Sequence, residues 1–317
     1  MKEREMRVLS LEDTRAALPF GALIAALDAG FRAGAEVPLR HHHFMKTPGA
    51  ADDVLLLMPA WQQAGWGGVK IVNVHPGNAG RGLPAIASSY ILFDRLTGVH
   101  KLLLDGGELT ARRTAAASAL AAKRLARPES RKMLIVGAGR VGANLAWAYR
   151  AAFAIEEIEI WSRTAASAEA LAVELRRGGL NARAVPDLEA AVKRAEIISC
   201  ATLSRAPLIE GEWLQPGQHI DLIGSFTPEM READDEVLAR ARIFLDTDHA
   251  MVESGDIAIP LASGAISKAD IEGTLAGLCR DDLRPRASAE EITLFKGVGS
   301  AIEDLAAAVL AYESLTA

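Results

Sequence analysis

The chain has only two cysteines in 317 residues, Cys200 and Cys279. That rules out a disulfide framework and a cysteine metal cage. No apolar run approaches the roughly 18 residues of a membrane span. Positive charge is not in excess either: 35 Lys and Arg face 41 Asp and Glu, for a formal net charge of −6 and a pI near 5.7. A surface of that sign does not capture nucleic acid by neutralising phosphates. The first residues, Met1 to Arg7, lack the apolar core of a signal peptide. Internal repeats and low-complexity tails are absent too. These absences predict a reduced, cytoplasmic protein with no membrane or nucleic-acid partner. Half of the residues are hydrophobic and 24% are charged, the balance of a soluble globular chain long enough for two domains.

The first third has a helical segment from Leu11 to about Phe31, then short apolar runs broken by glycine and proline. Val54–Met58, Gly68–Val74, Tyr90–Phe93 and Lys101–Asp105 predict strands of a mixed or antiparallel sheet. A long helix is expected from about Thr110 to Ala126, its alanines (Ala115–Ala122) serving helix surface and core. After the polar segment Arg127–Lys132 the rhythm changes. Met133–Val136, Ile158–Trp161, Ala182–Val185, Ile197–Cys200, Ile220–Ile223 and Ile243–Asp246 read as short buried strands with helices between most of them. One helix is expected at Val141–Ala152; another is capped by Thr164 and runs to Gly178–Gly179. Strands alternating with helices predict an α/β fold with a parallel, doubly wound sheet. A last helix, about Val298–Leu315, is expected to pack back on the first domain.

Leu134-Ile135-Val136-Gly137-Ala138-Gly139-Arg140-Val141-Gly142 leaves a strand and opens a helix. In that setting the three glycines predict a dinucleotide site: Gly137 for the tight turn, Gly139 for approach of the pyrophosphate, Gly142 for close helix–strand packing. The helix N-terminus offers unpaired N–H groups to the phosphates. A plain glycine turn, a flavin site or an S-adenosylmethionine site shares part of this grammar and is less favoured. Where the second strand ends, an NAD site usually carries an acidic residue. This chain has Ser162, Arg163 and Thr164 instead, so NADP(H) is favoured over NAD(H). Ala201 and Thr202, at the carboxyl end of another strand, are expected beside the nicotinamide ribose.

Several segments, in order along nearly the whole chain, resemble the ornithine cyclodeaminase/mu-crystallin family. They are Gly68-Val69-Lys70 with Pro76-Gly77-Asn78, Leu109 to Ala116 with Arg113-Thr114-Ala115-Ala116, the glycine loop, Gly224-Ser225-Phe226-Thr227-Pro228, and Phe295 to Asp304. The family contains ornithine cyclodeaminases, alanine dehydrogenases, and ketimine or 1-pyrroline-2-carboxylate reductases. The resemblance implies a Rossmann domain, here 121–295, inserted into an α+β substrate and dimerisation domain of 1–120 with 296–317 returning to it. It also implies a homodimer and an amino or imino acid as substrate. By the same resemblance Arg40 and Arg113 clamp the substrate carboxylate, as paired guanidinium groups do well. Lys70 lies near the reacting carbon, where it bonds the carboxylate or transfers a proton, and Thr114 contacts cofactor phosphate. Arg112 stands beside Arg113; Arg113 is chosen because it directly precedes Thr114-Ala115-Ala116.

One departure bears on the reaction. Cyclodeaminases carry an aspartate two positions before the proline of the Gly-x-x-x-Pro segment, and this chain has Phe226 there. A phenyl ring cannot hold an ammonium by charge, but it can pack against an apolar substrate ring. The expectation is therefore hydride transfer to a preformed C=N bond, with Arg40, Lys70 and Arg113 as the catalytic set. Glu229, Glu232, Asp234 and Asp235 could replace the aspartate but read as the exposed start of a helix. Ornithine cyclodeaminase is the alternative, then alanine dehydrogenase, and last a crystallin-like protein that binds NADPH and a small ligand with little turnover. His41-His42-His43 invites a metal reading, but side chains along an extended segment alternate in direction, so no metal is expected. These histidines and His75 are read as structural or surface groups in preference to substrate contacts, and Cys200 as core.

Overall fold

The structure is a computed structural model that describes residues 6–49 and 51–316. In chain order the strands are β1 (Arg7–Val8), β2 (His41–Met45), β3 (Asp53–Trp61), β4 (Trp66–Val74), β5 (Ile86–Asp94), β6 (His100–Asp105) and β7 (Lys132–Val136). They continue as β8 (Glu157–Trp161), β9 (Ala182–Ala184), β10 (Ile197–Cys200), β11 (His219–Leu222), β12 (Ala241–Leu245), β13 (Ile271–Thr274) and β14 (Ile292–Lys296). The helices are α1 (Leu11–Ala17), α2 (Phe20–Ala33), α3 (Gly106–Leu125), α4 (Arg140–Ala152), α5 (Ala165–Arg177), α6 (Leu188–Arg194), α7 (Asp235–Arg240), α8 (Ala250–Glu253), α9 (Gly255–Ser263), α10 (Leu275–Cys279) and α11 (Ala301–Ser314). Among the described residues no single helix is long and apolar enough to cross a membrane.

The chain forms two compact units, one of residues 1–113 with 300–317 and the other of 114–299. The expected boundaries, 120/121 and 295/296, move for a physical reason at each end. Thr114 to Leu125 is packed with the second unit, and Lys296 closes a strand of that unit's sheet, so the chain returns only at Ser300.

The first unit holds a six-stranded sheet in the order β1-β6-β5-β4-β3-β2, antiparallel except for the β1–β6 pair. Its strands alternate: Met58, Lys70, Val72, Tyr90, Leu92, Leu102 and Leu104 are buried, and their neighbours along each strand are half-buried or exposed. α11 packs against α2, β3 and β4 of this unit. The single helix expected over Leu11–Phe31 is two helices. Pro19 lacks an N–H and restricts Leu18, so α1 ends at Ala17 and Pro19 caps α2. Ser10 and Asp13 form a reciprocal capping box that starts α1.

The second unit is an eight-stranded, wholly parallel sheet in the order β13-β12-β14-β11-β10-β7-β8-β9. Strands β7, β10, β11 and β14 are buried over nearly their whole length, as a sheet covered on both faces requires. The order reverses between β7 and β10, the switch point where such sheets bind ligands at their carboxyl ends. Two strands, β13 and β14, were not expected, and β14 inserts between β11 and β12. The alanines of α3 at 115–117, 119, 121 and 122 are all core, with none on the surface.

Candidate active site

Within the second unit the glycine loop joins β7 to α4. Gly137 has φ +112°, which L side chains rarely adopt, and a Cβ there would lie 2.5 Å from the carbonyl oxygen of Ala201. A Cβ on Gly142 would lie 2.2 Å from the Gly137 carbonyl oxygen. Gly139 differs, because a Cβ there meets nothing within 4 Å. Gly139 caps α4 without a side-chain bond, and the first helical bond runs from Ala143 N to Gly139 O. The N–H groups of Arg140, Val141 and Gly142 therefore precede the hydrogen-bonded ladder and suit an anion. Ala138 and Arg140 complete the loop, Arg140 exposed.

The ends of the neighbouring strands converge here. Gly137 N donates to Trp161 O at the end of β8, and Ala201 N donates to Val136 O at the end of β7. Ser162 is half-buried, and Arg163 and Thr164 are exposed. Thr164 is the N-cap residue of α5 but makes no side-chain capping bond, so its hydroxyl is uncommitted. Neither Arg163 nor Arg140 has an ion-pair partner among the described residues. The fold thus collects the predicted loop, the Ser162–Thr164 turn and the Ala201–Thr202 segment at one sheet edge, with donors and exposed positive charge where a dinucleotide would need them.

The acidic residues after Phe226 meet the expected exposed helix start only in part: Asp234 and Asp235 do open α7 but are half-buried, and Glu232 departs from it altogether. Glu232 is fully buried. One of its oxygens accepts from Thr202 N at 2.6 Å and Thr202 Oγ1 at 2.8 Å, and the other accepts from Gly224 N at 2.6 Å. Burial pushes its pKa up, against the pull of Lys296. Asp256 in turn accepts from Glu232 N at 2.7 Å and lies 3.4 Å from the buried Lys296 Nζ. Asp234 caps α7, and Asp235 pairs with Arg231. Glu232, Asp234 and Asp235 are thus engaged, Glu229 is exposed, and Phe226 on the Gly224–Pro228 loop is 49% exposed.

In the first unit Lys70 is buried on β4, between its cross-strand partners Met58 and Tyr90. Its Nζ lies 3.0 Å from Asp304 Oδ1 and 2.8 Å from Asp304 Oδ2. Arg113, also buried, donates Nε to the same Asp304 Oδ1 at 2.9 Å and Nη1 to Glu303 Oε2 at 2.7 Å. Both acids start α11. Ser300 and Glu303 form its capping box, and a helix N-terminus favours carboxylates. Desolvation lowers the Lys70 pKa, Asp304 opposes that, and the balance is about 8. Burial pushes Asp304 up, but Arg113 and Lys70 hold it below the usual carboxylate range. Arg113 stays charged: its two acids outweigh desolvation.

Arg40 is half-buried, one residue before the His41–Leu57 pair, which places it alongside Met58 and hence Lys70. Its charge reaches the Lys70 ammonium. Arg112 does something else: it donates to Leu18 O at 2.9 Å and stacks 4.1 Å above the Phe20 ring. Thr114 is half-buried and makes no side-chain hydrogen bond among the described residues. His41–His43 lie exposed on edge strand β2, and His75 sits 3.2 Å from Asp53. Among the described residues no group of three or more His, Cys, Asp or Glu is placed to hold a metal ion. Sequence reasoning missed Asp304, Glu303 and Tyr90, and placed Glu232 on the surface. The first two stood in a recognised segment, and their serine and glutamate spacing is a capping-box signal.

A parallel sheet with a strand–glycine–helix switch point, in one chain with a unit that buries a Lys–Arg–carboxylate cluster, has the architecture of a dinucleotide-binding protein. The model of the ornithine cyclodeaminase/mu-crystallin family matches residues 4–317, and the chain belongs to that family. It is 42% identical over 259 residues to Delta(1)-pyrroline-2-carboxylate reductase of Paracoccus denitrificans, covering 81% of this chain and 82% of the relative. Its fold matches the Thermococcus litoralis Delta(1)-pyrroline-2-carboxylate reductase solved with NADH and L-proline, at TM-score 0.91, 32% identity and 98% of each chain. An archaeal alanine dehydrogenase dimer with bound NAD matches at TM-score 0.89 and 30% identity, covering 98% of this chain and 96% of the other.

Proposed function

We propose that the protein is a nicotinamide-dinucleotide-dependent reductase of cyclic 2-imino acids such as 1-pyrroline-2-carboxylate. The observation that carries this reading is the buried meeting of Lys70 and Arg113 on Asp304. Asp304 and Glu303 engage Arg113 Nε and Nη1, leaving Nη2 and the remaining Lys70 N–H groups as donors for a carboxylate, with the half-buried Arg40 beside them. The dinucleotide, when bound, supplies hydride to the imine carbon. Lys70, as an ammonium, has a proton to give to the ring nitrogen, and its pKa near 8 suits transfer at neutral pH. Holding the substrate in one orientation contributes much of the rate.

Phe226 supports reduction over deamination, because no side-chain carboxylate stands at its position and Glu232 is committed to Thr202 and Gly224. The unpaired, exposed Arg163, flanked by Ser162 and Thr164, supports NADP(H) over NAD(H), since a 2′-phosphate needs charge and hydroxyl donors. A homodimer in the cytoplasm is part of the same proposal. Leu57, Val69, Ile71, Ile91 and Leu103, half-buried on the sheet face opposite Lys70, offer the apolar surface for pairing.

Purified protein is tested against a panel of cyclic imines and amino acids with NADPH and NADH, alongside Phe226→Asp. Reduction of the five- or six-membered imino acid is expected. Ornithine-dependent proline and ammonia formation without imine reduction overturns the assignment.

A further inference from the structure

We infer that Asp304 is the positioning residue of the carboxylate site: one buried side chain orients both Lys70 and Arg113 and keeps the Lys70 ammonium charged in the working protein. The inference rests on the proposed reductase reading for the roles of Lys70 and Arg113. Its geometry stands apart from that reading.

Asp304 is fully buried. It engages Lys70 through both oxygens, at 3.0 and 2.8 Å, and Arg113 through Oδ1 at 2.9 Å. A lysine ammonium on a four-carbon stem has no preferred direction of its own, so something must choose one. Asp304 chooses it, and α11 fixes Asp304 in turn, since the Ser300–Glu303 capping box sets the first turn on which both acids stand. Glu303 performs the second half of the task by taking Arg113 Nη1. The guanidinium is thereby locked in rotation before any ligand arrives.

The charged and titratable groups facing Lys70 come from four segments. Asp304 comes from α11, Arg113 from α3, Arg40 from the stretch before β2, and the buried Tyr90 phenol from β5. Two of the four are cations that disfavour the ammonium, and so does burial. The Tyr90 phenol has no hydrogen-bond partner among the described residues, and burial pushes its pKa up, so it stays neutral and adds no anion. Asp304 is the counter-charge that offsets the rest. Without it Lys70 would lose its proton at lower pH, and with the proton its ability to hold a carboxylate or protonate a ring nitrogen.

The test reads Lys70 directly. Protein labelled with 13C at lysine Cε is titrated by NMR, with the Lys70 resonance assigned by Lys70→Arg. In the wild type the midpoint is expected near 8. In Asp304→Asn it is expected to fall by roughly one to three units, and the alkaline limb of kcat/KM for 1-pyrroline-2-carboxylate should move down with it. An unchanged midpoint overturns the inference, whether or not the wild type reduces imines. If the Asn variant does not fold, Asp304→Glu decides. It keeps the charge but moves the carboxylate, so the midpoint should hold while kcat/KM falls by roughly a hundredfold. Wild-type kcat/KM in that variant overturns the inference. A wild type inactive on every cyclic imine removes the reductase reading instead.

Discussion

Thr202 gives both its backbone N–H and its hydroxyl to a single oxygen of Glu232, at 2.6 and 2.8 Å. The other oxygen of Glu232 takes Gly224 N. One buried acid thereby ties the segment after β10 to the segment after β11, next to the glycine loop. In Glu232→Gln an amide NH2 must face an N–H donor on one side. A stability loss of about 1–3 kcal/mol is expected, measured by urea unfolding. Dinucleotide affinity should fall about tenfold, equivalent to about 1.4 kcal/mol.

The loop glycines are expected to fail differently. Gly142→Ala sets a Cβ 2.2 Å from the Gly137 carbonyl oxygen, so the loop must move, at about 1–3 kcal/mol of stability. Gly139→Ala meets no protein atom within 4 Å and should melt like the wild type. Its methyl group still occupies the side open to the pyrophosphate. NADPH fluorescence titration should show weakened binding in both variants, with a lowered Tm only for Gly142→Ala.

Arg163→Ala removes the exposed charge at the end of β8. The ratio of kcat/KM for NADPH over NADH should drop roughly tenfold or more, the worth of a charge-assisted bond to phosphate. An unchanged ratio would place the 2′-phosphate elsewhere.

His219 is buried on β11, its Nδ1 3.0 Å from Thr293 Oγ1, and burial pushes its pKa down from 6.5 to about 3. The unfolded chain takes up a proton below 6.5 while the folded protein does not. The stability His219 contributes is therefore full above pH 6.5 and lost as pH falls toward 3, at no more than about 1.4 kcal/mol per pH unit. Urea unfolding of His219→Gln across that window should show a shallower pH dependence than the wild type.

Local signals made the dinucleotide unit legible. β7, its glycines and α4 are contiguous, and their periodicity and turn chemistry all sit between Lys132 and Ala152. The Lys70–Asp304 contact spans 234 positions, and no spacing rule reaches that far. Glu232 was misread because a charged residue soon after a proline usually faces water, whereas here three N–H and O–H donors compensate its burial. Pro19 was a break signal inside an otherwise helical pattern, and it split the first helix. β14 escaped notice because its five residues, ending in a lysine, carry no alternation and follow an irregular stretch.

The late arrival of β14 sets the order in which this protein can become complete. Its five residues enter the middle of the parallel sheet, bridging β11 and β12. Until residues 292–296 leave the ribosome, those two strands each present an unpaired edge of backbone N–H and C=O groups, and their apolar Ile220, Leu222, Ile243 and Leu245 lack the finished core that buries them. The nascent chain therefore carries an adhesive, half-built nucleotide unit while the stretch between Leu222 and Ile292 is made, the state in which chaperone capture or aggregation competes with folding.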